Sequence, residues 1–242
     1  MKNILIITGG SKGIGKGIVE AYQAKGYQIV SIARTRGDFT NTNALLEYQA
    51  DLSDEKVASH ILPAIFEKLH PERIERIVLI NNAGTLGGIG RIENLNSENI
   101  SSAVKLNTIA PLILTSAFIA LTNDWTCEKK VINISSGAAQ NPYYGWSVYC
   151  ATKAALDMMT KVVAAEQNAI KHGVKIIAIY PGVVDTDMQT EIRSHKKEDF
   201  NAIDRFLELK ASGSLLDPQY VGEAIYRLDQ QELENGSILR VE

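Results

Sequence analysis

Short apolar runs rich in β-branched residues alternate along the chain with longer amphipathic stretches. The apolar runs lie at 4–7, 29–32, 77–80, 131–134, 175–179 and 238–241, and a weaker strand is expected at 46–49. Runs of this length are typical of strands buried on both faces of a sheet. The amphipathic stretches lie at 14–25, 54–69, 97–121, 147–172 and 217–229. Their periodicity predicts helices, with Ser53, Ser97 and Asp217 as N-caps.

This alternation defines the expected fold class. Strands that alternate with helices form a parallel sheet through right-handed crossovers. The sequence therefore predicts an α/β fold with a single doubly wound parallel sheet of about seven strands and helices on both faces. No linker, repeat or low-complexity segment divides residues 1–242, so one domain is expected.

The segment at 185–214 departs from the alternation. It is polar and charged, and it follows the sixth predicted strand. Ligands bind at the carboxyl ends of the strands in open α/β sheets. We therefore expect this segment to be a substrate lid.

Composition removes several classes of function. The net charge of -3 provides no broad basic field, which argues against a nucleic-acid partner. The four histidines are dispersed, which predicts no metal site. No apolar stretch is expected to reach the roughly 20 residues of a membrane span, and the two cysteines, Cys127 and Cys150, favour a cytoplasmic protein. A small-molecule substrate remains.

A glycine-rich turn joins the first predicted strand to the first helix. Glycines in this context let backbone amides approach a pyrophosphate at the helix N-terminus, as in a Rossmann-type fold. The spacing is Gly-x3-Gly-x-Gly, which differs from the general G-x-G-x-x-G fingerprint, and a plain glycine turn is the alternative. The expected cofactor-binding residues of this turn are Gly9, Ser11, Lys12, Gly13, Ile14 and Gly15.

The second predicted strand ends in a basic side chain. An NAD-binding protein would hold the ribose 2′-hydroxyl here with a carboxylate. Arg34 occupies this region instead, and with Lys12 it would form charge-assisted hydrogen bonds to a 2′-phosphate. The pair predicts NADPH as the cofactor, whereas two solvated basic side chains are the alternative.

Two further strand ends offer cofactor contacts. Asp51 and Leu52 follow the third strand and are expected near the adenine, with an ordinary approach to a helix as an equal alternative. Asn81, Ala83 and Gly84 follow the fourth strand and are expected beside the cofactor. A simple turn is the alternative there.

The expected reacting centre involves Tyr149 and Lys153, which lie on one face of a predicted helix at i and i+4. A nearby ammonium would lower the pKa of the tyrosine from about 10 toward the working pH. Ser136, with Ser135 as its competitor, would stabilise developing charge on a substrate carbonyl oxygen. Asn107 lies inside a predicted helix, where it needs a specific partner; a water relay behind the lysine would provide one.

These motifs occur together and in order over nearly the whole chain, and the sequence resembles a short-chain dehydrogenase/reductase. The resemblance implies a catalytic tetrad of Asn107, Ser136, Tyr149 and Lys153. It also implies that Tyr149 and Lys153 contact the cofactor. Three residues after Pro181-Gly182 would contact the nicotinamide carboxamide: Val183, Val184 and Thr186.

Within this family, the segments 145–158, 181–189 and 208–215 are similar to sepiapterin reductases and to bacterial reductases of aromatic α-diketones such as benzil. Sepiapterin reductases anchor the pterin with an acidic residue in the last strand. This chain has Arg240 there, and an arginine accepts no hydrogen bond. Glu242 would take that place only if the register shifted by two residues.

We therefore expect an NADPH-dependent carbonyl reductase of the benzil-to-benzoin type, with sepiapterin reductase as the alternative. The expected substrate-binding residues are Ser136, Tyr143, Trp146, Tyr149 and Met188, and Tyr144 and Gln189 are weaker candidates. A non-catalytic NADPH-binding protein is a remote alternative, because it would need no proton donor. The helices at 97–121 and 147–172 resemble those that pair subunits in the family, so we expect a homodimer, with a tetramer as the alternative.

Overall fold

The computed structural model of the chain describes residues 1–40 and 44–241. Seven strands in the described residues form one sheet in the order β3-β2-β1-β4-β5-β6-β7, and every neighbouring pair is parallel. The strands are β1 (Lys2–Thr8), β2 (Gln28–Ala33), β3 (Leu45–Gln49), β4 (Ile74–Asn81), β5 (Glu128–Ile134), β6 (Lys175–Tyr180) and β7 (Ile238–Arg240). The predicted doubly wound parallel sheet is confirmed. Its order reverses between β1 and β4, which places the ligand crevice at their carboxyl ends.

Helices cover both faces of the sheet. They are α1 (Gly13–Gln23), α2 (Glu55–Phe66), α3 (Ser97–Val104), α4 (Ala110–Leu121), α5 (Ser147–Asn168), α6 (Asp187–Arg193), α7 (Ile203–Ala211) and α8 (Pro218–Asp229). One apolar core lies between the sheet and α2, α4 and α5, and the other lies between the sheet and α1 and α8. Burial on both faces explains the apolar sequences of the five inner strands, whereas the edge strands β3 and β7 are only partly buried.

Two of the three predicted N-caps are wrong by one residue. The Asp54 side chain, rather than Ser53, caps α2 by accepting from the amides of residues 56 and 57. Ser53 instead donates from its amide and hydroxyl to Asp51. Asn96, rather than Ser97, caps α3. The predicted cap by Asp217 on α8 is confirmed. Neighbouring residues with similar capping side chains explain the misplacement.

The predicted helix at 97–121 is continuous but changes register in its middle. A π-helical turn at Lys105–Ile109 joins α3 to α4, and it contains Asn107. Contrary to the sequence-based expectation, this helix of 25 residues has the length and apolar composition of a membrane span. Those two properties are weak evidence for a membrane, because core helices share them. Its inner face packs against α2 and β4.

Candidate active site

In the glycine-rich turn, backbone atoms of neighbouring residues occupy the positions that side chains would need if the glycines were replaced. A Cβ atom at Gly15 would lie 2.0 Å from the Gly9 carbonyl oxygen. Gly9 itself has a φ of +67°, which favours glycine. The turn leads directly into the N-terminus of α1. This cradle, which any Cβ at Gly15 would fill, fits the close approach of a pyrophosphate.

Asn82 fixes the glycine-rich turn, although the sequence did not single it out. Its Nδ2 donates to the carbonyl oxygens of Thr8 and Gly9, at 2.9 and 3.1 Å. Ala83 lies against Gly9, since a Cβ on Gly9 would be 3.0 Å from the Ala83 Cα. Both contacts connect the end of β4 to the end of β1, so this corner of the crevice is held by side chain and backbone together.

The structure places Asn81 away from the crevice. Its Nδ2 donates to Asn133 Oδ1 at 2.9 Å and to Thr115 Oγ1 at 3.2 Å, and the residue is buried. Asn81 therefore joins β4 to β5 and α4, and the expectation of a cofactor contact from its side chain is not met. Leu52 is likewise buried in the apolar core.

The end of β2 carries the exposed Arg34 that the sequence assigned to a 2′-phosphate. Its positive charge, after the hydrogen bonds from Ser53, helps to hold the pKa of Asp51 below its usual value. The neighbouring Ser11 and Thr35 hydroxyl oxygens lie 3.5 Å apart and connect the glycine-rich turn to β2. Lys12 forms an ion pair of 2.7 Å with Asp187 at the start of α6. The turn is thus linked to the segment at 185–214.

Ser136 and Tyr149 are brought together at the carboxyl end of the sheet. Ser136 follows β5, whereas Tyr149 lies in the first turn of α5, and both residues line the same cavity, where Ser136 acts to lower the pKa of the Tyr149 hydroxyl. Ser135 points elsewhere: its hydroxyl donates to the Lys153 carbonyl oxygen at 3.4 Å. The structure therefore distinguishes the two serines that the sequence left in competition.

The sequence-based expectation about the acidity of Tyr149 is wrong for this structure. Burial raises the pKa of the Tyr149 hydroxyl to about 12, and the hydrogen bond with Ser136 offsets only part of that rise. Lys153 Nζ lies 5.7 Å from the centre of the Tyr149 ring and donates to the Ile134 carbonyl oxygen at 2.7 Å. Desolvation of the phenol is the largest cause of the shift, so the protonated form of Tyr149 is favoured.

Lys153 is buried as well, and burial lowers the pKa of its amine to about 8. The carboxylate of Asp157, one turn further along α5, acts in the opposite direction and raises it. The Asp157 Oδ2 atom accepts a hydrogen bond from the Tyr180 hydroxyl. Asp157 and Tyr180 thus form a buried polar layer beneath the lysine that the sequence did not reveal, because it requires α5 to pack against β6.

This arrangement predicts a pH dependence. Lys153 is cationic below its pKa, and this cation favours the tyrosinate that remains after Tyr149 donates its proton. The kcat/KM for carbonyl reduction should therefore fall as the pH rises through about 8. Asp157→Asn removes the charge that raises the pKa of Lys153 and should move this fall to lower pH. Glu166→Gln, on the exposed face of α5, is the control. A profile that Asp157→Asn leaves in place would contradict the assignment.

Asn107 has the specific partners that its place in a helix required. Its Oδ1 accepts from the Thr85 amide at 2.9 Å, and its Nδ2 donates to the Thr85 carbonyl oxygen at 2.7 Å and to Thr152 Oγ1 at 3.1 Å. A Cβ on Gly84 would lie 3.4 Å from Asn107 Oδ1 and 3.7 Å from Lys153 Nζ. Asn107 therefore fixes the loop after β4 beside the lysine.

A cavity of about 310 Å³ opens beside Ser136 and Tyr149. Ile14 of the glycine-rich turn lies on its wall, as do the predicted nicotinamide contacts Val183, Val184 and Thr186. The predicted substrate contacts Tyr143, Trp146 and Met188 line it as well. Gln189 also lines it, whereas Tyr144 is exposed and lies outside it. Arg205 and Phe206 also line the cavity and were not predicted as substrate contacts, because only the packing of α7 brings them there.

Aromatic side chains form one side of this cavity. The Trp146 indole stacks on Phe200 with ring centres 4.7 Å apart, and Phe206 packs against both. Phe200 and Phe206 belong to the segment at 185–214, which contains α6 and α7. Lys210 in α7 also pairs with Asp185 at 2.7 Å. The segment at 185–214, which was expected to be a lid, therefore packs against the cavity through an apolar cluster and is held by ion pairs.

Comparison with known proteins identifies the family. Residues 3–197 match the family model described as short chain dehydrogenase. The chain is 40% identical to a benzil reductase ((S)-benzoin forming) of Bacillus cereus, with 98% of each chain covered. It is 31% identical to a sepiapterin reductase of Meriones unguiculatus, covering 95% of this chain and 92% of that protein.

The fold is similar to that of solved structures. The crystal structure of the KRED1-Pglu enzyme superposes with a TM-score of 0.84 and 25% identity, covering 98% of this chain and 100% of that one. The family model, the full-length relatives and the seven-stranded parallel sheet agree. The chain belongs to the short-chain dehydrogenase family and is an oxidoreductase that uses a nicotinamide cofactor.

Proposed function

We propose that this protein is an NADPH-dependent carbonyl reductase that reduces one ketone of an aromatic α-diketone, as benzil is reduced to benzoin. The observation that carries the proposal is that Ser136 and Tyr149 lie together on the wall of an aromatic cavity. The 40% identity to a benzil reductase over the full chain supports the substrate class.

The roles of the residues follow from their positions. Bound NADPH supplies the hydride for the carbonyl carbon. Ser136 donates a hydrogen bond to the carbonyl oxygen and orients it, and Tyr149 transfers its proton to that oxygen as negative charge develops. The high pKa of Tyr149 keeps the proton in place until then. Lys153 stabilises the resulting tyrosinate, and Asn107 positions the loop beside it.

The preference for NADPH rests on charge at the end of β2. Arg34 is exposed there, at the strand end where an NAD-binding protein would have a carboxylate for the ribose 2′-hydroxyl. Lys12 lies in the adjacent glycine-rich turn, where NADPH would compete with Asp187 for its ammonium. A guanidinium and an ammonium together suit a ribose 2′-phosphate.

Arg34→Ala should weaken NADPH binding about tenfold or more, the value of one or two charge-assisted hydrogen bonds. The affinity for NADH, which lacks the phosphate, should change little. Dissociation constants for both cofactors, from nicotinamide fluorescence, provide the measurement. Arg36→Ala, at a basic residue two positions further on, is the matched control. Equal losses for NADPH and NADH would remove Arg34 from the phosphate site.

The substrate class is tested by the loss of NADPH absorbance with benzil, sepiapterin and a simple aliphatic ketone. We expect benzil to have the largest kcat/KM. A larger value for sepiapterin would identify the alternative, a sepiapterin reductase, and Glu242 would then be the first candidate for the pterin anchor. Glu242 lies outside the described residues. NADPH binding without turnover of any carbonyl would identify a non-catalytic protein.

We also propose a homodimer that forms through the 97–121 helix and α5. These helices pack side by side, and together they expose large apolar side chains: Val104, Leu112, Met158 and Val162. An exposed apolar patch on paired helices is typical of a subunit interface. Light scattering that gives the mass of one chain would refute this proposal.

A further inference from the structure

The wall of the substrate cavity carries positive charge. Among the residues that the structure describes, the cavity lining contains two charged side chains, Arg205 and Arg240, and no carboxylate. Ser136 and Tyr149 line the same cavity, so both guanidinium groups share a compartment with the reacting centre. Such a site raises the local concentration of anions.

Arg240 is held in this wall by neutral groups. Its guanidinium lies 5.3 Å from the centre of the Tyr180 ring, and its Nη2 donates to Gln140 Oε1 at 3.3 Å. The Tyr180 hydroxyl is in turn fixed by Asp157. Arg240 in β7 is the register partner of Tyr180 in β6, so the sheet also fixes the backbone that carries the guanidinium. The guanidinium is therefore oriented by a stacked ring, a side-chain amide and the sheet.

Most of the hydrogen-bonding capacity of Arg240 is left open. A guanidinium has five N–H donors, and the described residues take one of them, at Gln140. No ion pair joins Arg240 to a carboxylate within residues 1–40 and 44–241. The residue is also exposed to solvent from the cavity mouth, so a ligand can reach it. Its planar fork matches the two oxygens of a carboxylate.

Arg205 is the second cationic side chain in the cavity wall. It lies in α7, where its Nη1 donates to the Tyr143 hydroxyl at 3.4 Å. Like Arg240, it has no ion-pair partner in the described part of the chain. Arg205 thus makes the field of the cavity more positive, while the orientation of Arg240 suits it to direct contact.

We propose that Arg240 binds a carboxylate of the substrate, so that this enzyme prefers aromatic ketones that carry a carboxylate over neutral ketones of the same shape. The aromatic rings of Trp146 and Phe206 would hold the apolar part of such a substrate. The inference rests on the proposed carbonyl reductase function, in which benzil then acts as a neutral surrogate.

The experiment compares two matched pairs of substrates with NADPH: benzoylformate against benzoylformamide, and 4-carboxybenzil against 4-carbamoylbenzil. One pair places the charge beside the ketone, and the other places it at the far ring. In at least one pair, kcat/KM should be about tenfold or more higher for the acid, the value of a charged hydrogen bond. Arg240→Gln should abolish that preference, and Arg240→Lys should retain part of it.

Arg227→Gln, on the exposed face of α8, is the matched control and should keep the preference. Thermal melting and NADPH affinity show that each variant is folded. The inference is overturned if neither pair favours the acid, or if the preference survives in Arg240→Gln while benzil is still reduced. If benzil and all four compounds leave NADPH unoxidised, the proposed function itself fails, and the two failures are therefore distinct.

Discussion

Tyr149→Phe should reduce the kcat for benzil reduction by about 10²- to 10⁴-fold, the usual contribution of a positioned general acid. The substitution removes the hydroxyl that would donate the proton and leaves the ring, which packs against Trp146 with ring centres 5.6 Å apart. The cavity should therefore keep its shape, and NADPH affinity should stay close to that of the unmodified enzyme. Single-turnover oxidation of NADPH measures the loss.

Tyr144→Phe is the control for this prediction, because that tyrosine is 45% exposed and lies outside the cavity lining. It should retain full activity. Substantial activity in Tyr149→Phe would mean that another group donates the proton. A loss of NADPH binding along with turnover would mean instead that the variant acts on the cofactor site rather than on proton transfer.

The strands and helices could be predicted because their signal is local. Each buried strand has a continuous apolar sequence, and even the weakest, at 46–49, is present as Leu45–Gln49. The capping residues were harder, since Ser53 and Asp54 are both good N-caps and only the turn formed by Asp51 decides between them. The π-helical turn around Asn107 leaves no recognisable pattern of apolar residues.

The site was predictable to the extent that its residues belong to ordered motifs. Tyr149 and Lys153 share a helix face, and Ser136 ends a strand, so their meeting follows from the topology. The pKa of Tyr149 did not follow, because its main cause is burial of the phenol, which depends on how closely the cavity walls pack. The buried pair of Asp157 and Tyr180 joins two distant segments, and no local pattern indicates it.

A buried charge network lies at the amino-terminal ends of the strands, opposite the site, and it supports the fold without touching the site. The Asp229 side chain is fully buried at the end of α8. It accepts from Arg76 Nη2 at 2.8 Å, from Lys130 Nζ at 3.0 Å and from the Tyr22 hydroxyl at 2.8 Å. Arg76 and Lys130 lie near the starts of β4 and β5, whereas the reacting groups lie at the carboxyl ends. The Asp229 carboxylate thus pairs with two cations from neighbouring strands, and Glu128 also pairs with Arg76 at 3.3 Å.

Asp229→Ala should lower the free energy of unfolding by about 3–5 kcal/mol, because it leaves the buried Lys130 without a counter-charge and leaves the buried Arg76 with only the half-exposed Glu128 as its partner. Urea denaturation followed by circular dichroism measures the change. Glu223→Gln, on the exposed face of the same helix, breaks only a surface pair and should cost about 0.5 kcal/mol or less. Replacing the charged members together, with Arg76→Met, Lys130→Met and Asp229→Leu, should recover most of the loss, since no charge then remains unpaired. A small effect of Asp229→Ala would show that water reaches these cations and that the network contributes little to the fold.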